Sequence, residues 1–189
     1  MGAPSQTTES DAFAQWSTRL ADLEKQVKGG ADPNALSMIV FSGDLDKLLI
    51  AFVIATSAAS CGMKVRMFFT FWGIGGLKKQ ARPAPGKTWF EWLFGWMMGG
   101  TRSRRLSKMH MGAIGSSLMK REMKKKRIAD LPELIEIAQA SEIRIDVCSM
   151  CMSLMGIDKE ELIDYPDLSV CGMADFLESA SASGTTLFV

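Results

Sequence analysis

The sequence predicts an α/β chain: an open, mostly parallel five-stranded sheet in a three-layer arrangement with helices, preceded by an N-terminal helix and interrupted by a long insertion. Three observations carry this expectation. Short apolar runs closed by turn residues alternate with stretches of helical apolar spacing, the order in which parallel strands and their crossover helices follow one another. Met63 to Trp72 (MKVRMFFTFW) begins with period-two alternation and becomes continuously apolar, as a strand buried on both faces does. Apolar residues make up 47% of the 189 positions and charged residues 23%, the balance of a folded chain with a substantial core.

Residues 1–32 form a leader, a small polar tip followed by an amphipathic helix with Phe13, Trp16, Leu20, Leu23 and Val27 at helical spacing, stopped by Gly29-Gly30. The α/β domain spans 33–189. Its first strand is Leu36 to Phe41, closed by Ser42-Gly43-Asp44 and followed by a buried helix from Leu45 to Ala59. Met63 to Trp72 is the second strand, ended by Gly73 to Gly76. The stretch from about 77 to 129 is too long for a crossover in a compact domain, and reads as an insertion or lid. Order resumes at Asp130 to Gln139, a helix with an N-cap residue, Pro132 and Glu133 in its first turn. Ile143 to Val147 is the third strand, 158–164 a short helix, and Leu168 to Val170 the fourth strand. Met173 to Ala182 is the last helix and Thr185 to Val189 the fifth strand. Ligands on such sheets lie beyond the carboxyl ends of the strands. Ser42-Gly43-Asp44, Trp72-Gly73 and Cys148-Ser149-Met150-Cys151 are therefore expected to share one crevice.

The net charge of +1 excludes an overall field that would draw the chain onto nucleic acid. The charge is nonetheless segregated: residues 102–127 carry +9, leaving −8 on the rest. Just before that basic segment lie Trp89, Trp92 and Trp96, in a run too short to span a bilayer. Aromatic rings beside clustered cations suit peripheral contact with an anionic membrane; packing as a lid on the domain or on a second subunit is the competing reading. As a membrane anchor it should bind liposomes in a salt-sensitive way and lose that binding when residues 87–105 are deleted. No nucleic-acid fold or aromatic interleaving accompanies the basic run. With no secretory signal in the sequence, the expected compartment is the cytoplasm.

Four cysteines at uneven spacing do not make a disulfide scaffold. The strongest chemical signal is Cys148-x-x-Cys151 directly after a strand. If Cys148 stands at a helix start, free N–H groups and the helix dipole favour its thiolate, the nucleophile of both disulfide exchange and persulfide transfer. Cys151 could resolve a mixed disulfide, pass sulfur onward or simply pack, since free cysteine is among the most buried residue types. A zinc site would need two more ligands, and His110, Cys61 and Cys171 are scattered singletons, so no metal is expected. His110, the single histidine, reads as a surface residue unless it partners a thiolate. Cys61 reads as packing, and Cys171 stays open between packing and lining the crevice. No G-x-G-x-x-G fingerprint is present, so no nicotinamide or flavin cofactor is expected.

Met63 to Lys79 (MKVRMFFTFWGIGGLKK), the Lys108-Met109-His110-Met111-Gly112 stretch and Val147 to Ile157 (VCSMCMSLMGI) together resemble the DsrE/DsrF/DsrH-like superfamily, most closely its DsrE2-like branch, often labelled peroxiredoxin-like. The resemblance covers about residues 36–189 and leaves the N-terminal helix outside. It implies a flavodoxin-like fold, trimers or other homo-oligomers, and a cytoplasmic sulfur relay that holds sulfur as a cysteine persulfide. The pattern C-x-M-x-M-x-x-M-G puts the carrier cysteine on Cys148. Cys151 stands where relatives often have serine, which leaves open whether it assists, competes or packs.

The expected function is thus a sulfur carrier or sulfurtransferase that takes sulfur from a donor protein on Cys148 and yields it to an acceptor protein. Two alternatives use the same residues differently. One is a membrane- or partner-docking module with structural cysteines, the other a CxxC thiol-disulfide redox protein, which would need an electron donor.

Overall fold

The computed structural model describes residues 9–28, 30–79, Trp89 and 121–189. Most of the insertion, including Trp92, Trp96 and His110, lies outside the described residues. Trp89 is largely exposed.

A helix, α1 (Glu9–Lys28), precedes the sheet, with Phe13, Trp16 and Leu20 exposed along it. Then come β1 (Asp32–Val40), α2 (Leu45–Ser60), β2 (Lys64–Phe69) and a 3₁₀ helix over Phe71–Leu77. After the insertion follow α3 (Leu131–Ala140), β3 (Arg144–Cys148), α4 (Ser149–Met155), β4 (Leu168–Cys171), α5 (Met173–Ser181) and β5 (Ser183–Phe188). The five strands form one sheet in the order β4-β3-β2-β1-β5, and every pairing is parallel. Helices cover both faces, so the expected three-layer α/β architecture holds.

The short helix expected over 158–164 is a single 3₁₀ turn, Lys159–Glu161, and β5 starts at Ser183, two residues early. Two further boundaries depart by more. β1 begins four residues earlier, at Asp32, even though Pro33 reads as a turn residue. Its register with β5 shifts between Asp32 and Leu36, and a proline without an N–H is tolerated at such an irregularity. β2 stops at Phe69 rather than running to Trp72, because the chain turns through Phe71 (φ 46°) into the 3₁₀ helix. Gly73 permits that turn: a Cβ there would lie 2.2 Å from the Val40 carbonyl oxygen. Its N–H donates to the Phe41 carbonyl at 2.8 Å, and the Thr70 N–H donates to Val40 at 3.1 Å.

The sheet divides its side chains by parity. Leu36, Met38 and Val40 of β1, Val65, Met67 and Phe69 of β2, and Ile145 and Val147 of β3 share one face and are buried. α2 packs on that side and α3 packs on α2, its start fixed by a capping box in which Asp130 accepts from the Glu133 N–H and Glu133 returns the bond. The opposite face carries Ser37, Arg66, Phe68, Asp146, Cys148, Ser169 and Cys171, with Phe176 of α5 stacked on Phe68 at 4.7 Å between ring centroids.

Candidate functional site

The polar face acquires its chemistry at the carboxyl end of β3. Ile145, Asp146 and Val147 hold β3 between β2 and β4, so Cys148 emerges at a fixed height beside both neighbours. It is the last residue of the strand and the N-cap of α4, and its side chain makes no capping hydrogen bond. α4 has only seven residues, so few aligned peptide dipoles stand behind Cys148. Cys151 lies three residues on, on the inward side of the helix.

Both thiols are shut away from solvent, Cys148 at 1% and Cys151 at 0% exposure. Cys148 acts on Cys151 electrostatically, and Cys151 has two further partners. The Thr70 hydroxyl lies 3.2 Å from its sulfur, and the backbone N–H of Phe71 also donates to it. Burial pushes the Cys151 thiol up; Thr70 and Phe71 pull it down, and the neighbouring Cys148 pushes it further up. The net direction is upward, which keeps Cys151 protonated and able to donate its S–H.

Two residues down β3, Asp146 is fully buried. Arg66 Nε and Ser169 Oγ both donate to its carboxylate, and Arg144 Nε donates from 3.1 Å. The same arginine, Arg66, also donates to the Ser179 hydroxyl, lies 5.8 Å from the Phe176 ring centroid, and brings Nη2 to 3.9 Å from the Cys171 sulfur. Cys171 is directly opposite Cys148 in the β3–β4 register and is half-buried. Burial and Asp146 push its thiol up, while Arg66 pulls it down; the net direction is again upward.

The expected crevice therefore forms in part. Trp72-Gly73 is tied to the end of β1 through the Phe41 carbonyl, and the residues just before it, Thr70 and Phe71, contact Cys151. Ser42 and Asp44 instead bond to each other at 3.0 Å, and Asp44 pairs with Lys47 at 3.4 Å. Cys61 is exposed at the C-cap of α2, at the amino-terminal edge of the sheet. Among the described residues, no three His, Cys, Asp or Glu side chains converge on a metal-sized site. None of the described helices is long and apolar enough to cross a membrane.

Sequence reasoning missed four of these residues. Thr70 and Phe71 were hidden inside what reads as continuous strand. Arg66 and Asp146 do leave a signal, opposite charges placed among the apolar residues of two strands.

A family described as DsrE/DsrF/DrsH-like matches residues 33–188 of the chain. The chain is 37% identical over 154 residues to the uncharacterized protein YrkE of Bacillus subtilis, covering 81% of this chain and 95% of that one. It is 30% identical over 167 residues to the sulfur carrier protein DsrE2 of Allochromatium vinosum, covering 82% and 97% respectively. Among solved structures, the ychN protein from E. coli matches with a TM-score of 0.47 at 12% identity, over 82% of this chain and 98% of that one.

Proposed function

The chain belongs to the DsrE/DsrF/DrsH-like family, and on that premise we propose that it is a sulfur carrier: Cys148 takes sulfur from a donor protein, holds it as a persulfide and yields it to an acceptor protein. The observation that carries this reading is the pair of buried thiols at the carboxyl end of β3, with Cys151 backed by Thr70 and the Phe71 N–H. The similarity to a protein named as a sulfur carrier supports it.

In this reading Cys148 is the nucleophile. Its thiolate attacks the outer sulfur of the donor's persulfide and the donor leaves as a thiolate, so that one sulfur moves and no net oxidation occurs. Cys151, kept protonated by its burial, lies beside the reacting sulfur, and the Thr70 hydroxyl orients it. The reading places the protein in the cytoplasm, where free thiols persist.

Peptide mass spectra of the reduced protein after exposure to inorganic polysulfide test the assignment. One added sulfur on Cys148, removed by reductant and absent from Cys148→Ser, is the expected result. Failure of any cysteine to gain sulfur, or identical loading in Cys148→Ser, would overturn it.

A further inference from the structure

A carrier that holds sulfur on Cys148 faces a difficulty of access. Cys148 is 1% exposed and Cys151 is 0% exposed, so a protein partner, donor or acceptor, meets Cys148 only by displacing what covers it. Displacement at sulfur requires the attacking thiolate to approach the outer sulfur directly. A thiol nearer the surface on the same face would spare the acceptor that displacement.

The polar face of the sheet supplies one. Cys171 of β4 is the register partner of Cys148 of β3, so the two side chains leave the same face of the sheet next to each other. Neighbouring strands lie about 4.8 Å apart, inside the roughly 4.4–6.8 Å between Cα atoms that a bond between two cysteine sulfurs spans. The register thus puts Cys171 within the span over which a sulfur carried on Cys148 could be handed on. Cys171 also differs from the other two thiols in its surroundings. It is half-buried on an edge strand, and it has a guanidinium beside it, Arg66 Nη2 at 3.9 Å. Arg66 is fixed there by Asp146 and Ser179, so the cation is in place before Cys171 loses its proton.

We propose that Cys171 is the exit thiol of an intramolecular relay, taking the outer sulfur from the Cys148 persulfide and presenting it to the acceptor at the sheet edge. This rests on the sulfur-carrier reading above. In the step, the Cys171 thiolate attacks the outer sulfur of Cys148–S–SH. A new S–S bond forms on Cys171, the Cys148–S bond to the outer sulfur breaks, and its electron pair stays on the Cys148 sulfur. Cys148 then takes up the proton that Cys171 gave up, so a persulfide and a thiol have exchanged places with no oxidant or reductant consumed. Arg66 offsets the charge that Cys171 develops as it ionises.

The test compares two acceptors of different size on the full chain loaded with inorganic polysulfide. Cyanide is small enough to take sulfur from a buried persulfide, whereas reduced thioredoxin is not. Cys171→Ser and Cys171→Ala should still load Cys148 and still deliver sulfur to cyanide at the wild-type rate, which reports an intact fold. Delivery to thioredoxin should fall at least tenfold in both. In the wild type, time-resolved peptide mass spectra should show sulfur on Cys148 first and on Cys171 second, and Cys148→Ser should leave Cys171 unloaded over the same period. Undiminished delivery to thioredoxin by the Cys171 variants would overturn the relay and leave the carrier reading standing. So would direct loading of Cys171 in Cys148→Ser, or a Cys148–Cys171 disulfide with release of sulfide in place of a Cys171 persulfide. A wild-type protein in which Cys148 never gains sulfur would overturn both.

Discussion

The two faces of the sheet are made from the same strands and do different work. On the face beneath α2, Met38, Val40, Met67, Phe69, Ile145 and Val147 are all buried and all apolar. On the other, alternate residues of those strands are Ser37, Arg66, Phe68, Asp146 and Cys148, joined by Ser169 and Cys171 of β4. The first face stabilises by excluding water alone; the second adds to one buried ring pair, Phe68 on Phe176, a set of charges and thiols held at fixed positions by one another. The lesson is that a period-two strand can separate stability from chemistry within a few ångströms, because a neighbour in sequence is always on the other side.

Substitutions can break this division from either side. The largest effect should come from Phe69→Ala, which removes a fully buried ring from the apolar face and should cost about 3–5 kcal/mol. Its denaturant midpoint should fall sharply, while sulfur loading per folded molecule stays unchanged. Next is Asp146→Ala on the polar face, which strips a fully buried carboxylate from Arg66 and Arg144 and should cost about 3 kcal/mol. Unlike Phe69→Ala, it should also slow delivery of sulfur to a bulky acceptor, because Arg66 loses the group that aims it at Cys171. Equal delivery by the two variants at matched folded fraction would count against the division.

The smallest effect sharpens it. Thr70→Val removes the hydroxyl 3.2 Å from the Cys151 sulfur and should cost about 1 kcal/mol of stability. The hydroxyl favours the ionised thiol, so its loss moves the Cys151 pKa further upward, and the pH profile of Cys151 alkylation in Thr70→Val should shift toward higher pH. A profile that stays in place would show that Thr70 does not act on Cys151.

How far the sequence made all this legible depended on whether the determinant was local. Strand-to-CxxC placement was readable, because the apolar run, the two cysteines and Gly156 lie within a dozen residues of one another. The α3 start was readable for the same reason, through Asp130 and Glu133. The end of β2 was not, since Thr70, Phe71 and Trp72 have good strand propensity and the turn depends on Gly73 meeting the Val40 carbonyl, more than thirty positions away in the chain. The start of β1 was hidden by Pro33, whose missing N–H matters little where the register with β5 is already irregular. Above all, the Cys148–Cys171 pairing comes from strand order. Nothing near either cysteine says that β3 and β4 are neighbours, and so Cys171 could not be separated from a packing residue.

The place of β5 beside β1 has a consequence for how the chain acquires its shape. Met38 is paired with Leu187 and Ile39 with Phe188, partners separated by nearly the whole α/β domain. Contacts of such long sequence separation form late and slow the search for the native state. During synthesis β1 is among the first strands to emerge, yet the neighbour on its outer side arrives only after β2, β3 and β4 have been made. Until then it offers a bare row of N–H and C=O groups to any passing strand. For most of its time on the ribosome, the chain carries an unpaired strand edge at the strand that will later lie second from the edge of the finished sheet.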